Sequence, residues 1–314
     1  MLRTCVRVAT TVFPAILASA LAAPIALEAQ SGQPTFRASV AVVPITAVVR
    51  DGRNRVVSEL QKEDFEVFED DRPRPVVEFS AKNRGPVSLA VVFDTSGSMR
   101  GPNLAAGRAL VDKILEQLTH PGDEAAFFTF DKRISQSVPF TRDWEHIRGA
   151  LSGTEGWGVT SLYDAIAETS RKVAERQAER RAVIVITDGI DNSSERSAAE
   201  VSGIASSIDV PVYVMAISQP RVLPDGTAPT DDGLSNLAAW TGGDLRHVPT
   251  AEQVPQAVTA MMGELRQQYF LAIESAAASG WYRLDVRTKR KGLKVRTRSG
   301  YFSATPAFSQ RDQR

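Results

Sequence analysis

Leu89-Ala90-Val91-Val92-Phe93-Asp94-Thr95-Ser96-Gly97-Ser98 decides how this chain is read. Five apolar residues in a row mark a strand buried in the body of a sheet. The polar residues that follow place a carboxylate and two hydroxyls at alternating positions of a tight loop. Two segments further on repeat the logic. Gly158-Val159-Thr160-Ser161-Leu162 offers a threonine where a loop enters a helix. Val183-Ile184-Val185-Ile186-Thr187-Asp188-Gly189 ends a second apolar strand on a second carboxylate. If the strands share a parallel sheet, Asp94, Ser96, Ser98, Thr160 and Asp188 meet at one edge of it. Such hard oxygen donors select Mg²⁺, Mn²⁺ or Ca²⁺ over metals that favour thiolate or imidazole.

These residues resemble the metal-ion-dependent adhesion site of the von Willebrand factor A domain, in which Asp-x-Ser-x-Ser is followed by a Thr and then an Asp, usually as Thr-Asp-Gly. Every element has its counterpart here: Asp94, Ser96, Ser98, Thr160 and Asp188. The resemblance implies a bound divalent cation, Mg²⁺ first and Mn²⁺ or Ca²⁺ as alternatives, and a partner protein that offers it an Asp or Glu. The chemistry agrees. Mg²⁺ holds near-octahedral oxygens at about 2.0–2.1 Å. Hydroxyls from Ser96, Ser98 and Thr160 can ligate it without cancelling its charge, and Asp94 and Asp188 are then expected to offset the dication partly through bridging waters. A position left open then suits a carboxylate from another molecule. Trp157, Asp191 and Asn192 are placed at the rim as candidate partner contacts.

Each residue also has a plainer reading. Ser98 can cap the helix after Gly101, Thr160 and Ser161 can cap the helix that starts at Leu162, and Asp188-Gly189 can be a turn. Asp191 and Asn192 can be caps or solvated loop residues. His120, His146 and His247 stand apart, with no metal-ligand spacing, and are read as structural or surface residues.

From about Pro86 strands and helices alternate. Strands are expected at 87–93, 124–130, 134–140, 182–187, 210–217 and 245–248. Helices are expected at 103–118, 144–151, 161–179, 198–208, 234–240 and 252–267, the first with Leu104, Ala105, Leu110, Val111, Ile114, Leu115 and Leu118 on one face. Alternation of this kind predicts an α/β fold, a doubly wound, mostly parallel sheet with helices on both faces. Ligands of such sheets bind beyond the carboxyl ends of the strands, where Asp94 and Asp188 stand.

The flanks read differently. Short strands at 38–50, 65–69 and 76–79, with turns at Asp51-Gly52 and 70–75, precede the α/β segment. After Gln268, strands at 269–273, 281–286 and 293–296 read as a meander ending at Gly300-Tyr301-Phe302. The two flanks are expected to pair, so that an A domain at 86–267 is inserted into a small antiparallel β unit built from 36–82 and 268–302. This layout, with the 63–70 and 295–301 stretches, resembles a bacterial subfamily of secreted proteins related to the von Willebrand factor A domain. Residues 303–314 read as a flexible tail.

The 314 residues are 43% hydrophobic and 24% charged, with 37 basic and 37 acidic side chains. That balance gives no reason to expect nucleic acid. Basic residues do gather at Arg283, Arg287, Lys289, Arg290, Lys291, Lys294, Arg296 and Arg298, either a solvated strand face or a patch for an anionic surface. Arg3 and Arg7 before a small-residue apolar stretch at 8–23, with Ala-rich cleavage options up to Ala29, read as a signal peptide over 1–29; an uncleaved anchor is the alternative. Removing it takes away the single Cys5. No later stretch has the roughly 20 apolar residues of a membrane span. The expected location is outside the cell or in the envelope, and no feature fixes an oligomeric state.

Three functions follow. The first is an exported protein-binding module that grips an acidic side chain through its metal, with no enzymatic activity. The second is a scaffold whose ion only stabilises the fold. The third is a Mg²⁺-dependent hydrolase with Asp94 as nucleophile, against which the position two residues on is Ser96 rather than a second Asp.

Overall fold

The computed structural model describes residues 42–81, 85–189, 191–218, 233–274 and 278–303. The expected signal peptide, the start of the first strand at 38–41 and the tail beyond Ser303 lie outside the described residues. Among those described, no helix is long and apolar enough to cross a membrane.

The central element is β5 (Val87–Asp94), buried along its whole length. With no polar face to offer water, it fits only the middle of a sheet covered on both sides. It pairs in parallel with β6 (Glu124–Phe130) on one side and β8 (Arg180–Thr187) on the other. β7 (Ile134–Thr141) adds an antiparallel edge, while β9 (Val212–Ala216) and β10 (Leu245–His247) extend the other side in parallel. The order β10-β9-β8-β5-β6-β7 reverses direction between β5 and β8. That switch point opens a crevice at the carboxyl ends of these two strands.

Side-chain alternation along β5 divides the core. Leu89, Val91 and Phe93 face α1 (Pro102–Glu116), α2 (Trp144–Ser152) and α6 (Val254–Arg266). Ala90 and Val92 face α3 (Leu162–Ala174), α4 (Ala198–Ser207) and α5 (Gly233–Trp240). Each fully buried Leu, Val or Phe contributes roughly 1.5–3 kcal/mol relative to exposure. This is the doubly wound α/β architecture expected. Two details differ. Ala105 points to solvent, and Ala106 packs in its place. The third helix ends at Ala174 rather than near 179, because β8 begins at Arg180 and the chain needs the intervening residues to turn.

The flanking strands form two four-stranded antiparallel sheets. One has the order β13-β1-β11-β4: β13 (Lys294–Arg296), β1 (Val42–Arg50), β11 (Tyr269–Glu274) and β4 (Val76–Ser80). The other is β14-β12-β2-β3: β14 (Gly300–Ser303), β12 (Gly280–Thr288), β2 (Phe65–Glu69) and β3 (Arg72–Arg74). Ile45, Leu271 and Ile273 of the first share one apolar core with Phe65, Val67, Leu284, Val286 and Tyr301 of the second. Both sheets mix strands from before and after the α/β segment, so that segment is an insertion.

The expected meander after Gln268 does not form. β11 joins β1 and β4, β12 joins β2 and β14, and β13 crosses to β1. The turn read at 70–75 is also shorter. Asp70 and Asp71, with φ of 46° and 64°, make a two-residue hairpin bend, and Arg72–Arg74 run back along β2 as an edge strand that tolerates Pro73.

The β unit meets the α/β segment at the end of the central sheet remote from Asp94. Thr46 Oγ1 donates to Asp209 Oδ2 at 2.8 Å, just ahead of β9. Arg298, 2% exposed, donates to the carbonyls of Ser206 and Pro44. Glu264 of α6 is 1% exposed and accepts hydrogen bonds from Arg50 of β1, Arg246 of β10 and Arg296 of β13. Asp244 stands 3.0–3.4 Å from the same three guanidiniums. Arg296 and Arg298 therefore leave the supposed basic surface strip and serve as internal ties.

Candidate metal centre

Asp94 ends β5 with its carboxylate wholly buried. Its Oδ1 accepts from the Ser96 amide at 2.8 Å, which folds the loop back over the strand end. Its Oδ2 accepts from Thr187 Oγ1 of the neighbouring β8 at 2.6 Å. Burial pushes the Asp94 carboxyl up to about 6; hydrogen bonds from Thr187 and Ser96 oppose the rise, and the nearby Asp188 charge adds to it. The Ser96 and Ser98 hydroxyl oxygens lie 3.2 Å apart.

The second loop is tied onto the first by backbone bonds. Gly97 N donates to Gly158 O at 3.1 Å and Trp157 N to Thr95 O at 2.6 Å. The fit demands glycine. A Cβ on Gly156 would lie 2.9 Å from Ser96 O, and Gly158 has φ of +81°. Thr160 follows, 1% exposed. Asn192 Oδ1 accepts from its amide at 2.9 Å, and its carbonyl accepts from the amides of Asn192 and Ser193.

Asp188 follows Thr187 on the third loop. Its Oδ1 is buried and has no hydrogen-bond partner among the described residues. A buried, unpartnered carboxylate oxygen costs on the order of 1–3 kcal/mol or more, so something is expected to complete it. Thr187 Oγ1 also accepts from Gly189 N at 3.0 Å, so the turn after Asp188 is held by Thr187 and not by Asp188.

The plainer readings of the hydroxyls are not the ones the chain adopts. The N-cap of α1 is Gly101 at φ +57°, and Ser98 makes no cap bond. Ser161 occupies the N-cap position of α3 without a side-chain bond. The first amides of α3 are satisfied from elsewhere: Leu162 N by Asp191 Oδ1 at 2.9 Å, and Tyr163 N by Ser194 Oγ at 3.0 Å. Ser96, Ser98 and Thr160 are thus placed by the backbone and left out of the capping of α1 and α3.

Of the candidate rim residues, Asp191 and Asn192 turn their acceptor oxygens onto the backbone of the Thr160 loop. Trp157 is 63% exposed. Its ring lies under the Arg100 guanidinium, 4.5 Å from the centroid, and Arg100 Nε donates to Gly156 O at 2.7 Å. Sequence reasoning gave no role to Thr187 or Arg100. The first was visible only as the residue before Asp188, and the second lies 57 positions from its aromatic partner. Among the described residues, no group of three or more His, Cys, Asp or Glu side chains is placed to hold a metal. Any ion here rests on two carboxylates and hydroxyls.

Residues 89–190 match the family model described as the von Willebrand factor type A domain. The chain carries a von Willebrand factor type A domain. No curated protein matches it. Among solved structures it is similar to the conserved hypothetical protein BatB from Bacteroides thetaiotaomicron, with 20% identity over 57% of this chain and 98% of that one and a TM-score of 0.47. A protein described as von Willebrand factor type A from Catenulispora acidiphila is 11% identical, covering 87% of this chain and 76% of that one, with a TM-score of 0.49. The vWF domain of the type V pili tip protein Mfa5 from Porphyromonas gingivalis is 22% identical, over 35% of this chain and 40% of that one, with a TM-score of 0.31.

Proposed function

We propose that this chain is an exported protein-binding module in which a divalent cation, Mg²⁺ before Mn²⁺ or Ca²⁺, captures an Asp or Glu of a partner protein. The observation that carries the reading is the buried Asp188 Oδ1, without a hydrogen-bond partner among the described residues, on a loop bonded to the neighbourhood of Asp94. Two carboxylates among neutral hydroxyls fit a hard dication and leave it electrophilic. Ser96, Ser98 and Thr160 would ligate it, with Asp94 and Asp188 balancing its charge directly or through water. The cation would supply a Lewis-acidic position for the incoming carboxylate. Trp157 would contact the partner beside it. The reading is of binding and not catalysis: Ser96 stands where a phosphotransfer Asp would be expected. An exported location rests on the N-terminal signal pattern.

The test is calorimetric titration of Mg²⁺ and Mn²⁺ into the full chain and into Asp94→Ala and Asp188→Ala. Saturable binding by the parent, weakened at least about tenfold in both variants, supports the site. Equal behaviour of all three proteins overturns it. Capture from the native cell envelope, released by EDTA, then tests the partner.

A further inference from the structure

A cleft of about 660 Å³ runs between α6, β10 and the turn after β1, with Arg53, Asn54, Arg246, His247, Gln253 and Gln256 in its wall. Arg55, Thr259 and Glu264 line it as well, and the carboxylates of Glu264 and Asp51 are already engaged by arginines. Glu264 receives Arg50 and Arg246 on one oxygen and Arg296 on the other. Asn54 Oδ1 takes Arg50 NH1 at 2.7 Å, which leaves its amide nitrogen as the free end of that side chain. Asp51 is occupied by the Arg53 and Arg55 amides and by Arg55 Nε. Arg53 has no ion pair among the described residues, and Nε of both Arg50 and Arg246 is buried without a hydrogen-bond partner there.

The charges do not cancel. Among the described residues, Arg50, Arg55, Arg246 and Arg296 form ion pairs with Asp51, Asp244 and Glu264, and Arg53 forms none. Five guanidiniums against three carboxylates leave a local excess of two positive charges beside the cleft. Planar guanidinium forks and amide donors around a double positive excess match a tetrahedral dianion better than a single carboxylate. We propose that this cleft binds a phosphoryl group, free or as a small monoester.

Inorganic phosphate and glycerol 1-phosphate are titrated separately into the full chain in HEPES at fixed ionic strength, with chloride as the blank. The expected result is saturable one-to-one binding, weakened roughly tenfold in Arg53→Gln, where one charge-assisted contact is lost from an exposed residue. Asp94→Ala binds both probes like the parent, which separates this site from the metal centre. Tighter binding of glycerol 1-phosphate assigns an esterified ligand, and the reverse assigns free phosphate. Arg246→Gln is the second variant; if it fails to fold, Gln256→Ala takes its place. Absence of saturable binding to either probe overturns the proposal. So does parent-like affinity in both Arg53→Gln and the second variant.

Discussion

Replacing Glu264 with alanine removes the one buried carboxylate on which Arg50, Arg246 and Arg296 converge. The three guanidiniums then face one another with Asp244 as their remaining counter-charge. Removing one partner from a buried ionic cluster costs about 3–5 kcal/mol, because the charges left behind stay desolvated. Here the arginine side chains are 15–22% exposed and Asp244 27%, so water relieves part of the penalty. The lower end, about 3 kcal/mol, is expected. For a unit of this size each kcal/mol shifts Tm by about 2–4 °C, so Tm falls by about 6–12 °C. Glu264→Gln keeps an acceptor but loses the charge, and falls between. Circular-dichroism melts in phosphate-free buffer measure the shift, and urea midpoints give the free energy. Adding Arg246→Met to Glu264→Ala should recover part of the loss through a favourable coupling term. A single-variant loss under about 1 kcal/mol, or strict additivity in the double variant, would refute the view that this carboxylate fastens α6 to the β unit.

Three further outcomes follow from named contacts. Thr187→Val is nearly isosteric but removes the donor to Asp94 Oδ2 and the acceptor for Gly189 N; a loss of about 2–3 kcal/mol is expected by urea unfolding. Gly243→Ala would put a Cβ 1.9 Å from Val212 O, which is backbone, so the chain must shift at the start of β9; low soluble yield and a strongly reduced melting point should result. Glu124 ionises more readily in the fold: burial disfavours its charge, but hydrogen bonds from Arg176 and Ser88 outweigh this and hold its pKa below the usual glutamate value. That stabilisation is complete above the unfolded pKa near 4.5 and is lost as pH falls through the depressed folded value. An Arg176→Met variant should therefore show a shallower loss of stability below pH 4.5.

The residues of the candidate site could be picked out in the sequence because each of its pieces is local. An apolar strand ending in Asp94, a hydroxyl pair two and four residues on, and Thr187-Asp188-Gly189 after another apolar strand declare their positions without tertiary knowledge. The α/β alternation was legible for the same reason, since β5 and β8 have no polar face. Pairing in the β unit was not. The strands β11, β12 and β13 follow one another in sequence but go to different partners, and alternation along a strand says which face is buried, not what lies beside it. Arg72-Pro73-Arg74 concealed β3, since two cations and a proline suit only an edge. Arg296 and Arg298 read as surface charge because their carboxylate and carbonyl partners lie tens to hundreds of residues away.

β4 and β11 bracket the inserted domain, and they lie side by side: Ser80 pairs with Phe270 and Phe79 with Leu271. The path into the domain and the path out of it are thus stitched together at its base. Tension applied between Val42 and Ser303 is borne by the two antiparallel sheets, and the loops around Asp94 hang outside the load path. While that seam holds, the chain can be pulled from its flanks without dragging the carboxyl edge of the central sheet out of shape.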